Sequence, residues 1–174
     1  MHTIQYIATQ AQDVDQAHRN VKGYLDLKMG SGDEYNTWYD WFVTGGGRWT
    51  TDPANQYNDE YTGDVAHQDD PRFQSYLDTA HKFRLQTLGE YIEQARKLNL
   101  SDILDNLDDF EHDHFKVGME LYPVTKLYDM ATGKWDYNSY FFDMMNDTSN
   151  RKYMLDSIDK GRDDWYLVPV DFHF

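Results

Sequence analysis

At both ends of the chain successive residues sort onto alternate faces of an extended segment. Near the N-terminus Ile4, Tyr6 and Ala8 fall on one side of an extended segment, predicting a strand over residues 3–8. At the C-terminus Tyr166, Val168, Val170, Phe172 and Phe174 share one face, while Trp165, Leu167, Pro169, Asp171 and His173 share the other. Pro169 withdraws a ladder donor, which predicts an edge strand or a bulge there.

Between these ends the period lengthens. Asp13 offers an N-cap for a helix carrying Val14, Ala17, Val21, Tyr24 and Leu25, closing near Gly30. Asp70 and Pro71 signal a second start, N-cap and first helical residue. From Phe73 the positions Tyr76, Leu77, Ala80, Phe83, Leu88, Ile92, Ala95 and Leu98 recur at three- and four-residue steps. This is the longest predicted helix, about seven turns at 3.6 residues per turn. Gly89 inside it costs roughly 1 kcal/mol relative to alanine. His81 and Arg84 sit on its flank and read as exposed. Ser101 caps a shorter helix bearing Ile103, Leu104, Leu107 and Phe110.

Residues 116–122 and 124–130 read as two strands interrupted by Pro123, and 137–145 as an aromatic helix turn. A last helix starts at Ser149 or Asn150 and ends at Gly161.

The densest aromatic stretch is WYDWFVTGGGRW, residues 38–49. Large rings on both faces predict a sandwiched central strand over 38–43. Gly45, Gly46 and Gly47 then free the backbone for positive φ and a close approach. Either the strand simply leaves through a tight structural turn, or Arg48 and Trp49 beside the glycines form a ligand or partner site.

Strand, helix and strand with short joins open a split βαβ unit. The predicted architecture is therefore one α+β domain spanning 1–174, a ferredoxin-like antiparallel sheet covered by helices. A long acidic loop at 51–70 and a helical insertion at 71–113 are appended to it.

Charge narrows the classes of function. Sixteen basic residues against 31 acidic ones leave a formal charge of −15. Such a field repels phosphates, so direct nucleic-acid binding is not expected and basic protein partners are favoured. Two segments lack lysine and arginine altogether. Residues 50–70 hold Asp52, Asp59, Glu60, Asp64, Asp69 and Asp70, and the Ser101 helix holds Asp102, Asp105, Asp108, Asp109, Glu111 and Asp113. Asp59, Glu60, Asp64 and the Ser101-helix acids make a candidate acidic interface; simple solvation is the competing account.

The start lacks a basic segment followed by an apolar run, and no apolar stretch approaches the roughly 20 residues of a spanning helix. The expectation is a cytoplasmic protein without membrane contact. There is no cysteine, so thiolate metal sites and disulfides are absent. Glu111-His112-Asp113-His114 is not a zinc signature, because histidines two apart point about 200° apart on a helix. Asp171 and His173 form a possible carboxylate–imidazole pair, with no serine or cysteine motif beside them. Neither a metal nor a cofactor is expected, and no catalytic set emerges.

The run Tyr39-Asp40-Trp41-Phe42-Val43-Thr44-Gly45-Gly46-Gly47-Arg48-Trp49 resembles a YDWxxxGGRW signature of small uncharacterised bacteriophage proteins. The closing run from Leu167 to Phe174 resembles their last strand, and these segments are also similar to the ferredoxin-like domain of certain phage proteins, whose equivalent strand reads WYDW followed by a Gly-x-x-Trp turn. The resemblance covers about a fifth of the chain, and the third glycine departs from the commoner pair. It implies a viral origin and a βαβ-type fold, and carries over no catalytic residues. Two functions stand against each other. One is a non-enzymatic inhibitor that binds a host protein with a basic surface, such as a nucleic-acid-binding defence factor, by acidic mimicry. The other is a small-ligand or nucleotide-sequestering protein that uses the glycine turn and Arg48.

Overall fold

The alternating segments at the two ends of the chain pair with each other. In the computed structural model, which describes residues 1–30, 38–99, 101 and 114–174, the elements run as follows. They are β1 (His2–Gln10), α1 (Val14–Gly30), β2 (Trp41–Thr44), β3 (Ala66–His67), α2 (Pro71–Arg96), α3 (His114–Thr132), β4 (Phe141–Asp143), α4 (Lys152–Asp159) and β5 (Trp165–His173). Single 3-10 turns lie at Gly47–Trp49 and Pro53–Asn55.

β1 and β5 form the antiparallel centre of the sheet, from His2 opposite His173 to Gln10 opposite Trp165. The strand order is β2-β5-β1-β4, with the short β3 also beside β5. β2 and β3 are antiparallel to β5, but β4 is parallel to β1. The sheet is therefore open and mixed rather than antiparallel throughout. The reason is the connection: α2 and α3 intervene between β3 and β4, and a parallel neighbour requires such a long crossover. The α+β class stands.

Helices cover both faces. Ala17, Val21 and Leu25 of α1 pack with Ile7, Phe142, Val168, Val170 and Phe172 on one side. Phe73, Leu77 and Ala80 of α2 pack with Ile4, Tyr6, Ala8, Phe141, Trp165 and Leu167 on the other, joined by Met154 of α4. Both predicted caps form. An Asp13 oxygen accepts the Gln16 N–H at 2.7 Å, and an Asp70 oxygen accepts the Arg72 N–H at 2.8 Å.

Three expectations are corrected. Residues 116–122 and 124–130 are not strands but lie within α3, with Pro123 inside the helix. Short apolar runs fit both periods, and packing against α2 decides for helix. Residues 137–145 hold β4 in place of a helix turn; Tyr140, at φ 56°, turns the chain into it. The aromatic stretch is not a central strand either. Only Trp41–Thr44 is extended, at the sheet's edge, and Trp41 is 37% exposed. Tyr39 is buried, and Trp38 and Tyr39 curl against Phe172 and Trp135 around the sheet's end.

Pro169 lies in an inner strand, and its missing donor is accommodated by position. It stands opposite Tyr6, whose N–H points the other way and donates to the Tyr140 carbonyl at 3.0 Å. The Tyr6–Pro169 pair thus exchanges no ladder bond. On the outer side the Pro169 carbonyl accepts the Gly46 N–H at 2.8 Å. A residue's N–H and C=O share one side of a strand, so the absent N–H faces the gap between β2 and β3. There the edge strand has left the sheet for the excursion over 45–65.

Candidate functional site

The excursion begins at the three glycines, with φ of 79°, 97° and 49° at Gly45, Gly46 and Gly47. What approaches them closely is the protein itself. A Cβ on Gly45 would collide with the Tyr61 carbonyl, and one on Gly47 with the Asp171 side chain. The left-handed backbone and these contacts both demand glycine.

Asp171 is 1% exposed and organises the end of the sheet. One oxygen accepts the Arg48 backbone N–H at 3.1 Å, and the other meets His2 Nδ1 at 2.9 Å. His173 turns to Asp40 instead, Nδ1 to Oδ1 at 2.6 Å, and Asp171 and His173 do not pair with each other. Cross-strand geometry explains the choice. His2 is directly opposite His173 and diagonal to Asp171, and such neighbours lie as near as residues two apart along one strand. Trp41 stacks on His173, with ring centroids 5.2 Å apart and planes at 11°, and meets His2 edge-on at 5.1 Å. The hydrogen bond from His173 holds the exposed Asp40 carboxyl below its ordinary range.

The acidic loop is tied down from inside. Asp64 is 1% exposed, so it does not belong to a surface interface. Its oxygens accept from the Thr50 hydroxyl at 2.6 Å, from the Thr51 N–H at 2.8 Å, and from the Thr51 hydroxyl. Asp59 accepts from the Thr44 N–H and hydroxyl at 3.0 and 2.7 Å and pairs with Lys22 at 2.6 Å. Burial pushes the Asp59 carboxyl up, but the bonds from Lys22 and Thr44 outweigh it and hold it below its ordinary value. Asp52 caps the Pro53–Asn55 turn, and Asp70 grips Arg72, which also donates to the Gly63 carbonyl. Glu60 is exposed. The acids at Asp102, Asp105, Asp108, Asp109, Glu111 and Asp113 lie outside the described residues.

The anchored turn presents two exposed side chains. Trp49 is 45% exposed, and the Arg48 guanidinium has no hydrogen-bond or ion-pair partner among the described residues. Trp41 borders the same end of the sheet.

Asp171 has both oxygens engaged and is out of reach of solvent, and among the described residues no serine or threonine hydroxyl bonds to either Asp–His pair. Among the described residues no three His, Asp or Glu side chains converge as metal ligands. No described helix is long and apolar enough to cross a membrane.

Sequence reading missed His2 and Asp40, the true partners of Asp171 and His173. The only available signal was a histidine leading the first alternating segment, and nothing local ties it to a residue 169 positions away. It also misplaced Arg84, which is half-buried rather than exposed.

Comparison with protein-family models, curated proteins and solved structures finds no match for this chain.

Proposed function

We propose that the chain is a non-enzymatic binding protein that engages a protein partner with a basic surface through the end of the sheet carrying Trp41, Arg48 and Trp49. The observation that carries this reading is the rigid presentation of Arg48 and Trp49. Their backbone is fixed by Gly46, Gly47 and buried Asp171, while their side chains stand free to make contact. Tryptophan and arginine are the residue types that most often anchor interfaces, and a preset backbone lowers the ordering cost of binding. The charge of −15 steers a basic partner toward the molecule.

The bacteriophage resemblance extends the proposal to a host target in the host cytoplasm, and the acids of 102–113 to mimicry of a nucleic acid. It also extends it to a ferredoxin-like kinship, in which β1 and β2 run the same way on either side of β5. A nucleotide cradle at the glycines has less support. The Gly46, Arg48 and Trp49 amides already bond to Pro169, Asp171 and Gly46, leaving those donors unavailable to a phosphate.

The test is a quantitative pull-down from a bacterial host lysate with wild type and the R48A/W49A double variant. The wild type should retain a basic protein that the variant loses. Retention should fall as salt rises from about 50 to about 500 mM, while the Debye length shrinks from roughly 14 to 4 Å. Identical capture by both proteins contradicts the reading.

A further inference from the structure

Away from the glycine turn, α2, β4 and the start of α4 enclose a cavity of about 260 Å³. Its charge is opposite to that of the molecule. Arg84, Arg151 and His81 line it together with Leu77, Leu85 and Phe141, and among the described residues no aspartate or glutamate does. In a chain with 31 acidic residues, that composition is selective.

Arg84 makes the case sharper. Its guanidinium is half-buried and donates only to neutral acceptors: the Ser149 carbonyl at 2.7 Å, the Ser149 hydroxyl at 3.1 Å and the Met130 carbonyl at 2.6 Å. No carboxylate lies within ion-pair distance among the described residues, and the Nε–H has no acceptor there. Buried charges are ordinarily paired. Burial lowers the Arg84 guanidinium below its ordinary value; Asp136 works against that, and Arg151 adds to it. Arg151 itself has no side-chain partner among the described residues. Two cations thus line one cavity with no carboxylate among its described lining residues.

We infer that this cavity binds a small organic anion, a single carboxylate carried on a short apolar body. Arg84 and Arg151 take the carboxylate, for which the planar guanidinium fork is matched. Leu77, Leu85 and Phe141 cover the apolar part. The volume falls just below the roughly 300–1,000 Å³ of sites for drug-sized ligands, so the body is small. A monoanion is favoured over a phosphate dianion because the surrounding negative field opposes the second charge. The site is independent of the Arg48 surface.

Hexanoate is the probe, titrated by calorimetry at low ionic strength into wild type, Arg151→Gln, Arg84→Lys and Arg48→Gln, with hexanamide and phenyl phosphate as comparison ligands. Hexanoate should bind wild type, lose at least about tenfold in affinity with Arg151→Gln, and be unaffected by Arg48→Gln. The Arg151 side chain makes no hydrogen bond or ion pair among the described residues, and its backbone bond to Leu155 survives substitution, so this variant stays interpretable if Arg84→Lys fails to fold. Amide resonances of Phe141 and Ser149 should shift on titration. Absence of hexanoate binding at about 10 mM, equal binding of hexanamide, or an unchanged affinity in Arg151→Gln overturns the proposal. Tighter binding of phenyl phosphate than of hexanoate overturns the choice of a carboxylate.

Discussion

The Asp171 carboxylate accepts the Arg48 backbone N–H at 3.1 Å, tying the last strand to the end of the glycine turn. The bond joins a side chain that is 1% exposed to a residue whose own side chain is exposed. A buried acid on β5 therefore sets where a surface arginine stands.

Asp171→Ala should lower stability by about 1–3 kcal/mol, because it leaves the Arg48 N–H and His2 without their acceptor. Urea denaturation measures the loss. Hydrogen exchange of the Arg48 amide should accelerate in the same variant. An unchanged midpoint with a protected Arg48 amide would show that the carboxylate does not hold the turn.

Two glycine-to-alanine substitutions should act with opposite signs. Gly47→Ala places a Cβ against Asp171 at a φ of 49°, and should destabilise by on the order of 1–3 kcal/mol. Gly89→Ala lies in α2 with nothing within 4 Å of the added Cβ, and should stabilise by about 0.5–1 kcal/mol. Thermal melts of both variants decide the point; the same sign for both would contradict it.

The aromatic stretch should matter less to stability than its composition suggests. Trp165, 1% exposed between the helices, should cost about 3–5 kcal/mol on truncation to alanine. Trp41, 37% exposed and stacked on His173, should cost about half that or less. Equal losses in chemical denaturation would return Trp41 to the core.

Alkaline pH should unfold the protein through its tyrosines. Burial, reinforced by Asp64, raises Tyr6 and Tyr76 to about 12, above their ordinary value of 10.0. Below pH 10 the phenols are neutral in both states and stability is fully retained. Between about pH 10 and 12 the unfolded chain releases these protons first, so stability falls as pH rises. Tyr6→Phe should flatten that fall, seen as a shallower pH dependence of the urea midpoint. An equal slope in wild type and variant would remove Tyr6 from the transition.

Much of this frame was legible because one periodicity dominated each segment. β1 and β5 are short runs rich in apolar and β-branched residues with both faces buried, so they read as strands. α1 and α2 carry helical stripes and an aspartate at the cap. α3 did not read as a helix, because Val117, Met119 and Leu121 fit an extended pattern and Pro123 looked like a break. β4 has three residues, all buried, and shows no alternation at all. The site was half legible. The glycines announced a special backbone, but what presses on Gly47 is Asp171, more than a hundred residues away in the chain. The acids of 50–70 looked like a surface because composition cannot distinguish a solvated carboxylate from one that caps a turn, as Asp52 does, or is buried, as Asp64 is.

The most direct measurement of the partner surface is site-specific photo-cross-linking in bacterial cells expressing the protein. A photoreactive side chain is placed at Trp49, 45% exposed, in one strain and at the still more exposed Tyr153 of α4, at 59%, in another. The account predicts a discrete adduct with a basic protein from position 49, lost when Arg48→Ala is added, and none from position 153. No adduct at position 49, or the same adduct from both positions, would contradict it.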